Sequence, residues 1–117
     1  MEKPKKNSSV KLSVAAITNM RTHSERIVTF CVSCMQDLVL EDNLDLSLIS
    51  AYAEAIYVNQ KFAEYLEGIE EQRPKLRDEK TKKDKYVLDV QDILMMEALV
   101  NVKMSVSEAF PTRTGGR

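Results

Sequence analysis

A chain of 117 residues has room for one domain, and folding at this length buries somewhat over about 60% of the extended surface, enough for a single core. Three Gly, three Pro and no Trp exclude a turn-rich β architecture and favour helix, so the expected class is all-α. Charges nearly cancel, to a net −1, and no apolar run approaches the roughly 18 residues that span a bilayer, which predicts a cytoplasmic chain without membrane contact.

In chain order, residues 1–9 are polar, basic and without periodicity, and read as a mobile arm. Residues 10–41 form an N-terminal helical region. Val14, Ala15, Ile17 and Met20 suit a short helix, and Ser24 with Glu25 offers a cap for a new or continuing one. Ile27, Phe30, Cys31, Cys34 and Leu38 then recur as one core-facing stripe.

Residues 42–113 read as a helical hairpin that forms an oligomerisation core. Asp42, Asn43 and Asp45 are caps for its first helix, whose stripe is Ile49, Tyr52, Ala53, Ile56, Ala63 and Leu66 and whose stop is Gly68. Residues 69–85 are a highly charged connector in which Pro74 blocks helix, with room for a small exposed hairpin. Tyr86 to Ala109 is the last predicted helix, and residues 114–117 are a tail. Its apolar residues point in nearly every direction, so one flank needs covering by another subunit. Val90, Ile93, Leu94, Met96, Leu99, Val100 and Met104 are the expected interface of a ring-like homo-oligomer.

Charge is segregated along the chain. Residues 1–26 carry six bases against two acids, residues 36–72 nine acids against Lys61 alone, and residues 73–88 seven bases against three acids. Basic flanks on an acidic body can hold a phosphate backbone and orient it. The expected DNA contacts are Lys5, Lys6 and Lys11 on the arm with Arg21 and Arg26 behind it. Lys80, Lys82, Lys83 and Lys85 of the connector form the rival site.

Catalytic and metal chemistry find little support. Cys31 and Cys34 have C-x-x-C spacing but lie on a core stripe, with His23 as the only histidine, so no zinc set is expected. No Gly-rich phosphate loop occurs, and no nucleophile–base pair is evident. Neither an enzyme nor a cofactor is expected. A helix-turn-helix over Val14–Val32, with Arg26 presented after Ser24, remains an alternative.

Asp45-Leu46-Ser47-Leu48-Ile49 leading into Ala51-Tyr52-Ala53-Glu54-Ala55, Glu67-Gly68, and a last helix running into Phe110-Pro111-Thr112-Arg113 together resemble the small subunit of a tailed-phage terminase. The likeness covers residues 43–113. It implies a non-catalytic, ring-forming subunit in a bacterial host cell that binds double-stranded viral DNA and hands it to the terminase large subunit, which carries the ATPase and nuclease. The alternatives are a small helical protein-binding adaptor and a helix-turn-helix regulator.

Overall fold

The computed structural model describes residues 10–42 and 45–108. Strand β1 (Val10–Ser13) leads directly into helix α1 (Val14–Leu40), which returns as α2 (Leu46–Gln72). A hairpin of β2 (Lys75–Asp78) and β3 (Lys83–Leu88) follows, and α3 (Val90–Glu108) closes the described chain. The molecule is mostly helical, but the all-α expectation needs correction, because the three strands form an antiparallel sheet in the order β1-β3-β2. It is elongated, 61 Å on its long axis, since 27 residues of uninterrupted helix measure about 40 Å in each of α1 and α2.

Helix α1 starts where Ser13 Oγ accepts from the Ala16 amide at 3.0 Å. With no Gly or Pro between Val14 and Leu40, nothing breaks it, and Ser24 lies fully buried within it rather than capping a second helix. That continuity removes the turn a helix-turn-helix requires over Val14–Val32. Ile17, Ser24, Cys31 and Leu38 are the buried positions of α1, repeating every seven residues as an interhelical seam does. Phe30 leaves the predicted stripe and is largely exposed, while Ile27 and Cys34 are half-buried.

Asp45 caps α2, its Oδ1 accepting from the Leu48 amide at 3.1 Å. The buried stripe of α2 matches the predicted one in part: Ala63 and Leu66 are buried as expected and Ile49, Tyr52 and Ile56 are half-buried, but Ala53 is exposed and Ala51, Ala55, Val58, Phe62 and Ile69 complete the inward face. Gly68 does not end the helix. It keeps a negative φ, and Ile69, only 1% exposed, continues the stripe past it. Burying an isoleucine outweighs the roughly 1 kcal/mol that glycine costs a helix. The helix ends instead at Arg73 before Pro74.

The predicted connector is therefore the last turn of α2 followed by a hairpin. Asp78 Oδ1 accepts from the Lys80 amide at 2.9 Å, the Lys82 amide reaches Asp78 O at 2.7 Å, and Lys82 adopts the left-handed φ of 60° that closes the turn. β3 then pairs with both neighbours: Lys75, Tyr86 and Leu12 align across the sheet, as do Leu76, Lys85 and Ser13. Tyr86 and Leu88 are buried and Val87 is half-buried, an alternation that makes these residues strand rather than the first turn of the last helix. The helix starts at Val90, behind a reciprocal cap in which Asp89 Oδ1 accepts from the Asp92 amide and Asp92 Oδ2 from the Asp89 amide.

The core sits at the sheet end of the rod. Ile17, Phe62, Leu66, Ile69, Tyr86, Leu88 and Met96 form it, with Leu12, Val14, Met20, Tyr65, Ile93 and Leu99 packed around them. The predicted arm 1–9, Asn43, the terminal motif Phe110–Arg113 and the tail 114–117 lie outside the described residues.

Candidate functional site

The sheet joins the two basic segments that the sequence presents as rivals. β1 carries Lys11 and pairs with β3, which carries Lys83 and Lys85. β2 and its turn add Lys75, Arg77, Lys80 and Lys82. Seven bases against Asp78, Glu79 and Asp84 give the sheet and turn a balance of +4. Residues alternate between faces along a strand, so Leu12, Tyr86 and Leu88 turn to the core while Lys11, Lys83 and Lys85 share the outer face. Residues 1–9, with Lys3, Lys5 and Lys6, immediately precede β1 in the chain.

Some of this charge is neutralised locally. Lys85 Nζ meets Asp78 at 2.8 Å and holds that carboxyl below the usual carboxylate range, Lys82 meets Glu79 at 3.4 Å, and Arg77 meets Asp84 at 3.8 Å. Lys75 lies over the Tyr86 ring, 5.8 Å from its centroid. Lys11, Lys80 and Lys83 are exposed and belong to no ion pair among the described residues.

The predicted DNA-binding set does not stay together. Lys11 lies on the sheet, beside Lys80 and Lys85 in one shallow cleft. Arg26 is exposed on α1. Arg21 is committed elsewhere: its Nε donates to Glu70 and its Nη1 to Glu25 at 3.0 Å, and these carboxylates raise its pKa. Thr18 Oγ1 donates to the same Glu70 at 3.1 Å. Arg21 is thus a clasp between α1 and α2. Lys5 and Lys6 lie outside the described residues.

In the first turn of α3, Asp92 ties that helix to the C-terminal part of α2. It is 2% exposed, takes two hydrogen bonds from Arg73 at 2.8 and 2.6 Å, and accepts one from the Tyr65 hydroxyl. The Arg73 guanidinium holds its carboxyl far below the usual range, whereas burial first, and then Asp92, push Tyr65 up to about 12. With every lone pair engaged, this cluster fixes where β2 leaves α2 and where α3 begins. Sequence reading passed over it because neither Arg73 nor Asp92 interrupts a motif.

The predicted assembly residues divide in two. Met96 is buried in the core, and Ile93 and Leu99 pack against it, so these three attach α3 to its own chain. Ile93 and Leu99 are only half-buried, and Leu99 also lines an open groove beside α2. Val90, Leu94, Val100 and Met104 are exposed, as are Met95 and Val102, apolar residues of the same helix outside the expected interface set. Met95 and Val102 form an apolar groove with Tyr57 and Val58 of α2. Helix α3 rests on α2 along a narrow strip and leaves its other sides open.

Cys31 is buried, which pushes its thiol up, and Cys34 is half-buried. No group of three or more His, Cys, Asp and Glu is placed to hold a metal among the described residues. No described helix is long and apolar enough to cross a membrane. Comparison with protein-family models, with curated proteins and with solved structures returns no match.

Proposed function

We propose that this chain is the non-catalytic DNA-recognition subunit of a viral packaging motor, a terminase small subunit that assembles through α3, binds double-stranded DNA and passes it to the large subunit. The observation that carries the DNA role is the gathering of Lys11 and the hairpin bases on one sheet, against an α2 whose Asp45–Gln72 span holds six acids and Lys61 alone. A basic end on an acidic body attracts the phosphate backbone in one orientation. The exposed apolar sides of α3 favour self-assembly over a monomer. Assembly multiplies weak single-sheet contacts by effective concentration.

Sedimentation of the full chain with a fluorescent duplex tests both halves together. The expected result is duplex moving with an assembly of more than two chains at low salt and released as salt rises. Duplex that sediments alone at every salt concentration leaves the protein-binding adaptor as the better reading.

A further inference from the structure

On the flank of α3 turned toward α1, away from the Met95–Val102 groove, lies a cavity of about 320 Å³. Its walls include Ile27 from α1, Asn59 from α2, and Val100, Lys103 and Met104 from α3, with His23 also lining it. This size falls at the lower end of the range for small-molecule sites, which combine apolar walls with a few placed polar groups.

Two of its polar lining residues, Lys103 and Asn59, have unused capacity beside His23 and Ser107. Lys103 Nζ sits 4.7 Å from the Phe62 ring centroid and donates to Ser24 Oγ at 3.0 Å, and no carboxylate pairs with it among the described residues. A half-buried ammonium without a counter-charge is costly to keep, and burial lowers its pKa. Asn59 is 4% exposed, its Nδ2 donates to Ala55 O at 2.8 Å, and its Oδ1 has no hydrogen-bond partner. Reversing the amide would set its oxygen against the Ala55 carbonyl, so the Oδ1 acceptor is held in place.

The cavity therefore offers a cation, an acceptor and an apolar wall to one occupant. We propose that it binds a small aliphatic carboxylate bearing a hydrogen-bond donor beside its carboxyl group, the chemistry shared by free apolar amino acids and 2-hydroxy acids. The carboxylate takes the free donors of Lys103, the neighbouring N–H or O–H donates to Asn59 Oδ1, and the hydrocarbon lies on Ile27, Val100 and Met104. This site is independent of the basic sheet, so DNA binding and ligand binding can fail separately.

The test is titration of the isotope-labelled full chain, followed by backbone amide NMR, with leucine, 2-hydroxy-4-methylpentanoate, leucinamide and 4-methylpentanoate. Saturable shifts at Ile27, Asn59, Val100 and Met104 are expected with leucine or the hydroxy acid, and the tighter of the two identifies the source. Leucinamide, lacking the carboxylate, and 4-methylpentanoate, lacking the donor, should each bind more weakly by about tenfold at least. Lys103→Met keeps the chain length over Phe62 and should abolish the shifts while the spectrum stays dispersed. The proposal is overturned by an absence of saturable shifts in the wild type, by equal affinity for leucinamide, or by unchanged binding in folded Lys103→Met.

Discussion

At the sheet end, α1, α2, α3 and three strands converge on one core, and the ionisable groups there are tied across elements: Arg21 to Glu70, and Arg73 and Tyr65 to Asp92. At the opposite end, where α1 turns into α2, Val39, Leu40 and Leu46 are 63%, 83% and 75% exposed, and residues 27–60 contain five acids and no base. The described part of helix α3 reaches the level of Ser50 and Ala53, beside Val106, and Leu40 and Leu46 lie beyond it. One end is thus built for internal cohesion with a basic exterior. The other end relies on a two-helix seam and leaves apolar surface outside.

The largest effect that sharpens this contrast comes from Arg73→Met. It leaves Asp92 buried without its cation, a change that costs about 3–5 kcal/mol, read as a lowered urea midpoint with little change in slope. Removal of an exposed pair member would not do this.

Acid provides the second test. Asp92 has its pKa depressed by folding, so its stabilisation is present above the ordinary aspartate range near pH 4 and is lost as pH falls toward the folded value. In Arg73→Met the depression is gone, so the melting-temperature gap between wild type and variant should narrow as pH is lowered from 7 to 3. A gap that stays constant with pH would show that Arg73 stabilises by packing alone.

The smallest stability effect belongs to the far end. Leu40→Ser and Leu46→Ser remove only exposed apolar surface and should change unfolding free energy by less than about 0.5 kcal/mol in the monomer. A fall of several kcal/mol on chemical denaturation would mean that the tip is covered, and the contrast between the two ends would disappear.

These differences also separate what was legible in the sequence from what was not. The caps at Asp45 and the apolar character of the last helix were readable because each depends on neighbouring residues. Gly68 misled because its local preference is outweighed by the burial of Ile69, a long-range contact. A hairpin in the charged connector was admitted, but the three-stranded sheet was hidden by its shortness: β1 and β2 have four residues each, and only Asp89 separates Tyr86-Val87-Leu88 from apolar helix. The union of the arm side with the hairpin depends on β1 pairing with β3 across more than seventy residues, which no local pattern encodes. Asp92 and Lys103 look alike in sequence, as single charges on an apolar helix. Only packing shows one fully partnered and the other open.

The central claim, that the sheet is the DNA-contacting end, is tested most directly by the salt dependence of duplex binding measured by fluorescence anisotropy. The wild-type chain is compared with Lys11→Ala/Lys80→Ala/Lys82→Ala/Lys83→Ala and with Arg21→Ala. The quadruple variant should bind more weakly across duplex sequences, its log–log salt slope flattened by about one unit per lysine that touches phosphate, while Arg21→Ala leaves the slope unchanged because that arginine is already paired with Glu70. Wild-type affinity and slope in the quadruple variant would contradict the account.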